Sequence, residues 1–271
     1  MMRVAGPAKR LPAFFVVLDE VTSTADRTAM DRNTELSHLE HFDLAIYMRA
    51  TNLLKASRSL LENGHWEVAA SAARQVFELL VNMEYVAAHP DRESACVKYA
   101  TFGLIQYAEG ELRTMDYDRA SGREVDERRE TLLHEFLESE NWADFRGRDG
   151  KWKRQWSGLN TRGLAEKSSD PLRSMQYRQL FVAWSEQTHA APVALLHALT
   201  PRHNLDGWVE DQIATDDREV GQMILMLVTL YLQLLGTLPN APSISAETQF
   251  QWIDRLMEAM RASGHAPEQS A

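Results

Sequence analysis

The sequence predicts an all-α protein, a single antiparallel helical bundle of about seven to nine helices with a long irregular loop in the middle. Leu and Ala supply 64 residues, whereas the β-branched Ile and Val supply 21, and this excess of helix formers disfavours a sheet. The nine prolines lie where the apolar helical repeat starts or stops. Both observations indicate helices that are separated by short breaks.

The first elements follow from local signals. Residues 1–30 show no sustained period and hold a Thr/Ser/Asp cluster, so we expect a flexible N-terminal extension. A helical bundle domain is predicted over 31–238. It opens with a helix over 34–62, which Asn63-Gly64 ends, and a second helix over 65–88 packs back on the first as a hairpin.

The middle of the chain is its least regular part, and helices are predicted on both sides of it. The stretch from Trp142 to Gly163 breaks the helical period and is expected to form the long loop. The remaining predicted helices cover 91–117, 123–140, 172–189, 193–200 and an apolar segment ending at 235. Residues 239–271 are predicted to form a linker, a C-terminal helix over 246–262 and a disordered tail.

Charge and composition exclude several classes of protein. The chain has 39 acidic against 29 basic residues, a net charge of −10, and 44% hydrophobic residues. This apolar fraction is too high for a disordered chain, and the acidity disfavours general binding to nucleic acid or anionic lipid. Its one cysteine, Cys96, reads as a buried small hydrophobe, and the segment 223–235 is too short to span a bilayer. We therefore expect a cytoplasmic protein without a membrane anchor.

Two pairs of polar residues are the leading candidates for a site. Arg74 and Glu78 lie four residues apart beside the apolar stripe of the second helix, and Ser185 and His189 have the same spacing on a later helix. If these helices pack together, the four residues form one polar pocket in which a carboxylate orients the imidazole and Arg binds an anion. A surface ion pair and a structural histidine remain the simpler interpretations.

Glu84 falls near the centre of the same apolar stripe. A carboxylate buried there needs a cation, since otherwise it takes up a proton. We therefore include Glu84 among the candidate binding residues.

The sequence resembles an uncharacterised bacterial all-helical family, a domain of unknown function. The resemblance rests on the run Ala73–Glu78, then Trp156-Ser157-Gly158 through Arg162 to Ala165, then Tyr177 followed by Ser185 and His189. It covers roughly residues 35–235 and implies that these polar positions act together, so that Trp156, Arg162 and Tyr177 join the candidate binding residues. It implies no particular reaction.

A weaker resemblance is to HEPN-like helical ribonucleases and toxins, in which an Arg and a His four to six residues later supply a cation and a general acid/base. Arg128 or Arg129 with His134 fits that spacing, but about two such matches are expected by chance. The alternative function is therefore a metal-independent ribonuclease or toxin.

Metal chemistry is a second alternative. The spacing Glu-x-x-His, used by di-iron carboxylate bundles, occurs at Glu35/His38, Glu62/His65 and Glu186/His189. The other Glu residues do not complete the di-iron pattern, so we predict no metal and no cofactor.

The only basic part of the chain is residues 142–156. Five basic against two acidic residues give +3 there, with four aromatic rings interleaved, and Arg146 and Lys153 are candidate binding residues. Cations with aromatic rings suit single-stranded nucleic acid. Tryptophans that pin a loop onto the core explain the same pattern more simply.

The leading hypothesis is a binding or regulatory module, with a small anionic ligand or a protein as its partner and a homodimer as a possible assembly. Whether it is an enzyme is left open.

Overall fold

The computed structural model describes residues 5–30, 35–188 and 208–264, and these residues form eleven α-helices and no β-strand. The predicted all-α class is confirmed. The helices are α1 (Pro7–Arg10), α2 (Pro12–Met30), α3 (His38–Leu61), α4 (Trp66–Ala87), α5 (Arg92–Ala120), α6 (Glu127–Glu138), α7 (Thr161–Lys167), α8 (Arg173–Gln176), α9 (Val182–Thr188), α10 (Trp208–Leu235) and α11 (Ala246–Ala262).

The chain divides into two compact units rather than following the predicted boundaries at 31 and 238. The first unit comprises the described residues up to Ala87 and from Ala165 onward, and the second unit is Ala88–Leu164. The second unit is a long insertion between α4 and α8.

Helix α4 is the centre of the first unit. It packs against α3, α9 and α10. Small buried side chains such as Ala69 and Ala73 permit close approach, while Phe77 and Leu80 are fully buried and fill the space between the helices. The hairpin of α3 and α4 follows the prediction, because a capping box at Ser37 starts α3 and Gly64, with φ of +80°, follows its end.

The N-terminal segment is part of the core, which corrects the expectation of a flexible extension over 1–30. In α2 the side chains of Phe14, Leu18 and Val21 are buried against the rest of the unit. The threonines that suggested a loop do not break the helix, since the Thr22 hydroxyl donates to the Leu18 carbonyl one turn earlier. The guanidinium of Arg10 also pairs with Asp217 on α10 at 2.6 Å.

Helix α11 also belongs to the first unit, in the position predicted for the C-terminal helix. Ser245 accepts a hydrogen bond from the Thr248 amide and caps its start. Its buried residues Trp252, Leu256 and Met260 form an apolar stripe, and the helix packs against α2 and α10. The predicted disordered tail at 265–271 lies outside the described residues.

Helix α10 carries a long apolar segment. Its segment Ile213–Leu235 is long and apolar enough to cross a bilayer by length and composition, a test that the core helix of a soluble protein also passes. The helix starts well before the apolar run at 223–235. Its residues Leu227, Tyr231 and Leu234 are fully buried, and the helix packs against α3 and α4.

A π turn interrupts the helix predicted over 172–189. Residues Arg173–Gln176 form α8, Tyr177–Phe181 form the π turn, and Val182–Thr188 form α9. One wider turn of this kind frequently occurs at functional sites, because it changes the direction in which the neighbouring side chains point.

The second unit contains α5, α6 and the predicted irregular loop. A 3₁₀ helix over Glu140–Phe145 starts the loop. The indole of Trp142 donates to the Phe136 carbonyl at 2.6 Å, and the ring of Phe145 lies 5.9 Å from that of Phe102. The aromatic side chains therefore hold this loop against the helices of the unit.

Candidate functional site

Arg74 and Glu78 form the ion pair that their spacing predicts. Arg74 Nη2 lies 3.2 Å from Glu78 Oε1, and both side chains are partly exposed. The guanidinium lies over the ring of Phe181 in the π turn, 4.5 Å from its centroid. Arg74 Nε is buried without a hydrogen-bond partner among the described residues. Both the ring contact and the ion pair hold this guanidinium in place.

Burial sets the proton affinity of Glu78. Loss of solvent around its carboxylate raises the pKa of Glu78, and the positive charge of Arg74 opposes this effect without cancelling it. The carboxyl group therefore takes up a proton more readily than an exposed glutamate. A half-buried carboxyl group beside an arginine can act as a proton donor or acceptor.

The helix that carries Ser185 packs against α4, as the pocket hypothesis requires. The Ser185 hydroxyl donates to the Phe181 carbonyl at 2.8 Å, and the ring of Tyr177 stacks on that of Phe181 at 5.1 Å. Position 189 lies outside the described residues, so the predicted place of His189 in the pocket stays a prediction.

Glu84 has the cationic partner that its position in the apolar stripe requires. Arg173 is 2% exposed, and its Nε and Nη2 donate to Glu84 Oε1 at 2.9 and 2.7 Å. Its Nη1 donates to the side-chain oxygens of Gln233, at 3.0 Å, and Gln176. Asp170 adds a second carboxylate at 3.3 Å. We call these five residues the Arg173 cluster.

The Arg173 cluster is separate from the Arg74–Glu78 pair. Ten residues along α4 correspond to about 15 Å, so Arg74 and Glu84 belong to two different polar groups on the same helix. The sequence pattern indicates Glu84 but not Arg173, which lies 89 positions away. The sequence indicates this partner only indirectly, because a carboxylate that is buried needs a cation beside it.

The candidate residues Arg146, Lys153, Trp156 and Arg162 all lie in the second unit. Arg146 lies over the Trp152 ring at 4.0 Å and donates to the carbonyls of Leu137 and Gly150. The Lys153 ammonium group donates to the Asp144 carbonyl at 2.6 Å. Both cations therefore stabilise the loop through hydrogen bonds to the backbone.

Trp156 and Arg162 differ in exposure. Trp156 is buried, and its ring meets that of Tyr99 edge to face at 5.3 Å, as expected of a residue that anchors the loop. Arg162 lies on α7, and its side chain is exposed. These two residues lie in the second unit, whereas Arg74, Glu78 and Glu84 lie in the first.

A cleft of about 540 Å³ lies within the second unit, between α5 and the basic part of the chain at 142–156, which we call the basic loop. Four basic residues line it, against one acidic residue, Glu109. The lining residues are Phe102, Ile105, Gln106, Glu109 and Arg113 of α5, and Lys151, Trp152, Lys153 and Arg154 of the loop. The basic loop is visible in the sequence, whereas Arg113 and Glu109 are not indicated there, because nothing local shows which helix the loop covers.

Of the residues of the two alternative functions, the structure describes Arg128, Arg129 and His134 on α6, whereas position 189 lies outside the described residues. His134 is exposed on α6, and Arg129 pairs with Glu111 and donates to the Tyr107 hydroxyl at 3.0 Å. Among the described residues, no group of three or more His, Cys, Asp or Glu side chains could hold a metal ion. Cys96 is buried, as expected.

One comparison with known proteins gives a match. A sequence model described as a family of unknown function, DUF5677, matches residues 43–207, more than half of the chain. These residues include the Arg74–Glu78 pair, the whole second unit, and every member of the Arg173 cluster except Gln233. No curated protein and no solved structure matches the chain.

Proposed function

The chain belongs to the DUF5677 family, whose function is unknown, and from its side chains we propose that it is a binding module for a small anionic ligand. The binding site of the proposal is the cleft between α5 and the basic loop. One observation carries it: Arg113, Lys151, Lys153 and Arg154 line a single cleft together with one carboxylate, that of Glu109.

The cations of this cleft are available to a ligand. The side chains of Arg113, Lys151 and Arg154 are exposed and form no ion pair or hydrogen bond with the described residues. The cleft residues sum to +3, so the rest of a chain with net charge −10 sums to −13. Three unpaired cations in an otherwise acidic protein create a local site for negative charge.

The basic loop is held in shape before any ligand binds. Arg146 is fixed by two backbone carbonyls and by the Trp152 ring, and Lys153 is fixed by the Asp144 carbonyl. A ligand therefore meets Lys151 and Arg154 on an ordered loop, which lowers the entropy that binding costs.

Isothermal titration with inorganic tripolyphosphate tests the proposal. A solvent-exposed charge pair contributes up to about 1 kcal/mol, so Arg113→Ala and Lys151→Ala should each weaken binding by up to about fivefold. Arg148→Ala is the matched control, because Arg148 is an exposed arginine of the same loop that does not line the cleft. Equal losses in all three variants, or no binding at all, would contradict the proposal.

A second proposed site is the polar pocket of Arg74, Glu78, Ser185 and His189. The Arg74–Glu78 pair beside the π turn supports it, because the guanidinium is partly exposed and the pKa of the neighbouring carboxyl group is raised by burial. Arg74→Lys keeps the charge but removes the planar group that lies over Phe181.

The two proposed sites are separated by the same titration. If the anion binds in the second unit, Arg74→Lys leaves the affinity for tripolyphosphate unchanged. If Arg74→Lys weakens binding as strongly as Arg113→Ala, the pocket on α4 contributes to the anion site and the assignment to the cleft alone is wrong.

A further inference from the structure

We infer that the anionic ligand of the cleft is a nucleoside phosphate, in which phosphate groups meet the cations and the nucleoside meets the wall formed by α5. This inference rests on the proposed function and specifies its ligand. It follows from three features of the cleft that an inorganic anion would not use: an apolar wall, an unpaired carboxylate and the available volume.

The apolar wall is formed by three side chains. Phe102 and Ile105 of α5 are largely buried and line the cleft, and Trp152 of the loop lines it as well. Inorganic phosphate gains no affinity from an apolar surface, whereas a base gains affinity when its ring stacks on an aromatic side chain and is removed from water. Arg146 already holds the indole of Trp152 from one face at 4.0 Å, so this ring needs no ordering when a base arrives.

Glu109 adds a requirement for hydrogen-bond donors. Its half-buried carboxylate has no partner among the described residues and would repel a bare phosphate at the same place. An ionised carboxylate only accepts hydrogen bonds, and a nucleoside offers hydroxyl and amino donors. Gln106, one turn earlier on the same face of α5, can both donate and accept.

The order of these residues along α5 separates the two ends of the ligand. Phe102 and Arg113 lie eleven positions apart, which corresponds to about 16 Å along the helix axis. The apolar residues occupy the first part of that length, Glu109 the middle, and Arg113 the end. A cleft of about 540 Å³ is within the usual range for small organic ligands, about 300 to 1,000 Å³, and far exceeds one phosphate group.

The test compares ligands of similar charge on the full chain. Adenosine triphosphate, guanosine triphosphate and inorganic tripolyphosphate are titrated calorimetrically at low salt with EDTA. Charge alone would let tripolyphosphate bind at least as tightly as the nucleotides. We expect at least one nucleotide to bind about tenfold tighter, the gain from stacking one base on an aromatic side chain.

Two variants connect this gain to the residues named. Trp152→Ala should weaken nucleotide binding more than tripolyphosphate binding, and the loss common to both ligands measures the loosening of the loop. Glu109→Gln should strengthen tripolyphosphate binding, because a negative charge is removed, and should weaken or leave unchanged the binding of the nucleotide.

The outcomes separate this inference from the proposed function. If tripolyphosphate binds in an Arg113-dependent manner but neither nucleotide binds more tightly, the anion site stands and the nucleoside assignment is wrong. If neither class binds, both are wrong. If a single-stranded RNA octamer binds much more tightly per molecule than the nucleotides, the ligand is a polynucleotide and the mononucleotide assignment is overturned.

Discussion

Arg173→Met removes the charge at the centre of the Arg173 cluster while it keeps an unbranched side chain in a buried position. In the structure this guanidinium donates twice to one oxygen of Glu84 and once each to Gln176 and Gln233. The second carboxylate oxygen of Glu84 is buried and has no partner among the described residues. Loss of Arg173 therefore leaves Glu84 without a cation in an apolar environment.

The expected loss of stability is large. Removal of one partner from a buried ion pair costs about 3–5 kcal/mol, because the remaining charge stays uncompensated. The double variant Glu84→Leu/Arg173→Met should recover most of that loss, since well-packed apolar groups replace buried ion pairs at little cost. The free energy of unfolding is measured by urea denaturation followed by circular dichroism.

Arg218→Met is the matched control in the same unit. The Arg218 side chain is about half exposed and, among the residues that the structure describes, forms an ion pair only with Glu219, at 3.0 Å, so its loss should cost less than about 1 kcal/mol. A loss for Arg173→Met no larger than that of Arg218→Met would refute this account of the cluster. A double variant less stable than Arg173→Met alone would also contradict it.

Three further predictions concern other parts of the molecule. Burial raises the pKa of Glu78 above 4.5, so the carboxyl group stabilises the folded state most when it is protonated. The free energy of unfolding of the wild type relative to Glu78→Gln should therefore be highest below pH 4.5 and fall as the pH rises through the folded pKa. An unchanged difference in urea titrations from pH 4 to 8 would contradict this. Leu18→Ala should lower the free energy of unfolding by about 2–5 kcal/mol, because Leu18 is fully buried. Val16 is 47% exposed, so Val16→Ala should lower it by less than about 1 kcal/mol in the same denaturation experiment. Similar losses for the two variants would mean that α2 is not part of the core. Tripolyphosphate affinity should fall as NaCl is raised in calorimetric titrations, whereas salt-independent binding would disagree with a charge-based site.

Local signals predicted much of the fold. The capping box at Ser37, the glycine at 64 and the cap at Ser245 act within a few residues, and the helices next to them were predicted closely. The segment around Thr22 was misread because threonine favours loops in isolation. Its hydroxyl instead bonds to a carbonyl of its own helix, and the buried apolar residues of α2 hold that helix in the core.

The candidate sites were less predictable because they depend on contacts between distant parts of the chain. The need of Glu84 for a cation follows from its place in an apolar stripe, but nothing local identifies Arg173 as that cation. Likewise, the basic residues of the loop are visible in the sequence, whereas Arg113 and Glu109 join them only because the loop folds against α5. Side-chain chemistry could be predicted in both cases, and the partner could not.

The most direct test of the central claim is a crystal structure of the protein with tripolyphosphate bound at low ionic strength. We predict phosphate oxygens within about 3.2 Å of the Arg113 guanidinium and of the Lys151 ammonium group, the ordinary range of hydrogen bonds. Tripolyphosphate bound at Arg74, or at any surface away from the cleft between α5 and the basic loop, would contradict the account.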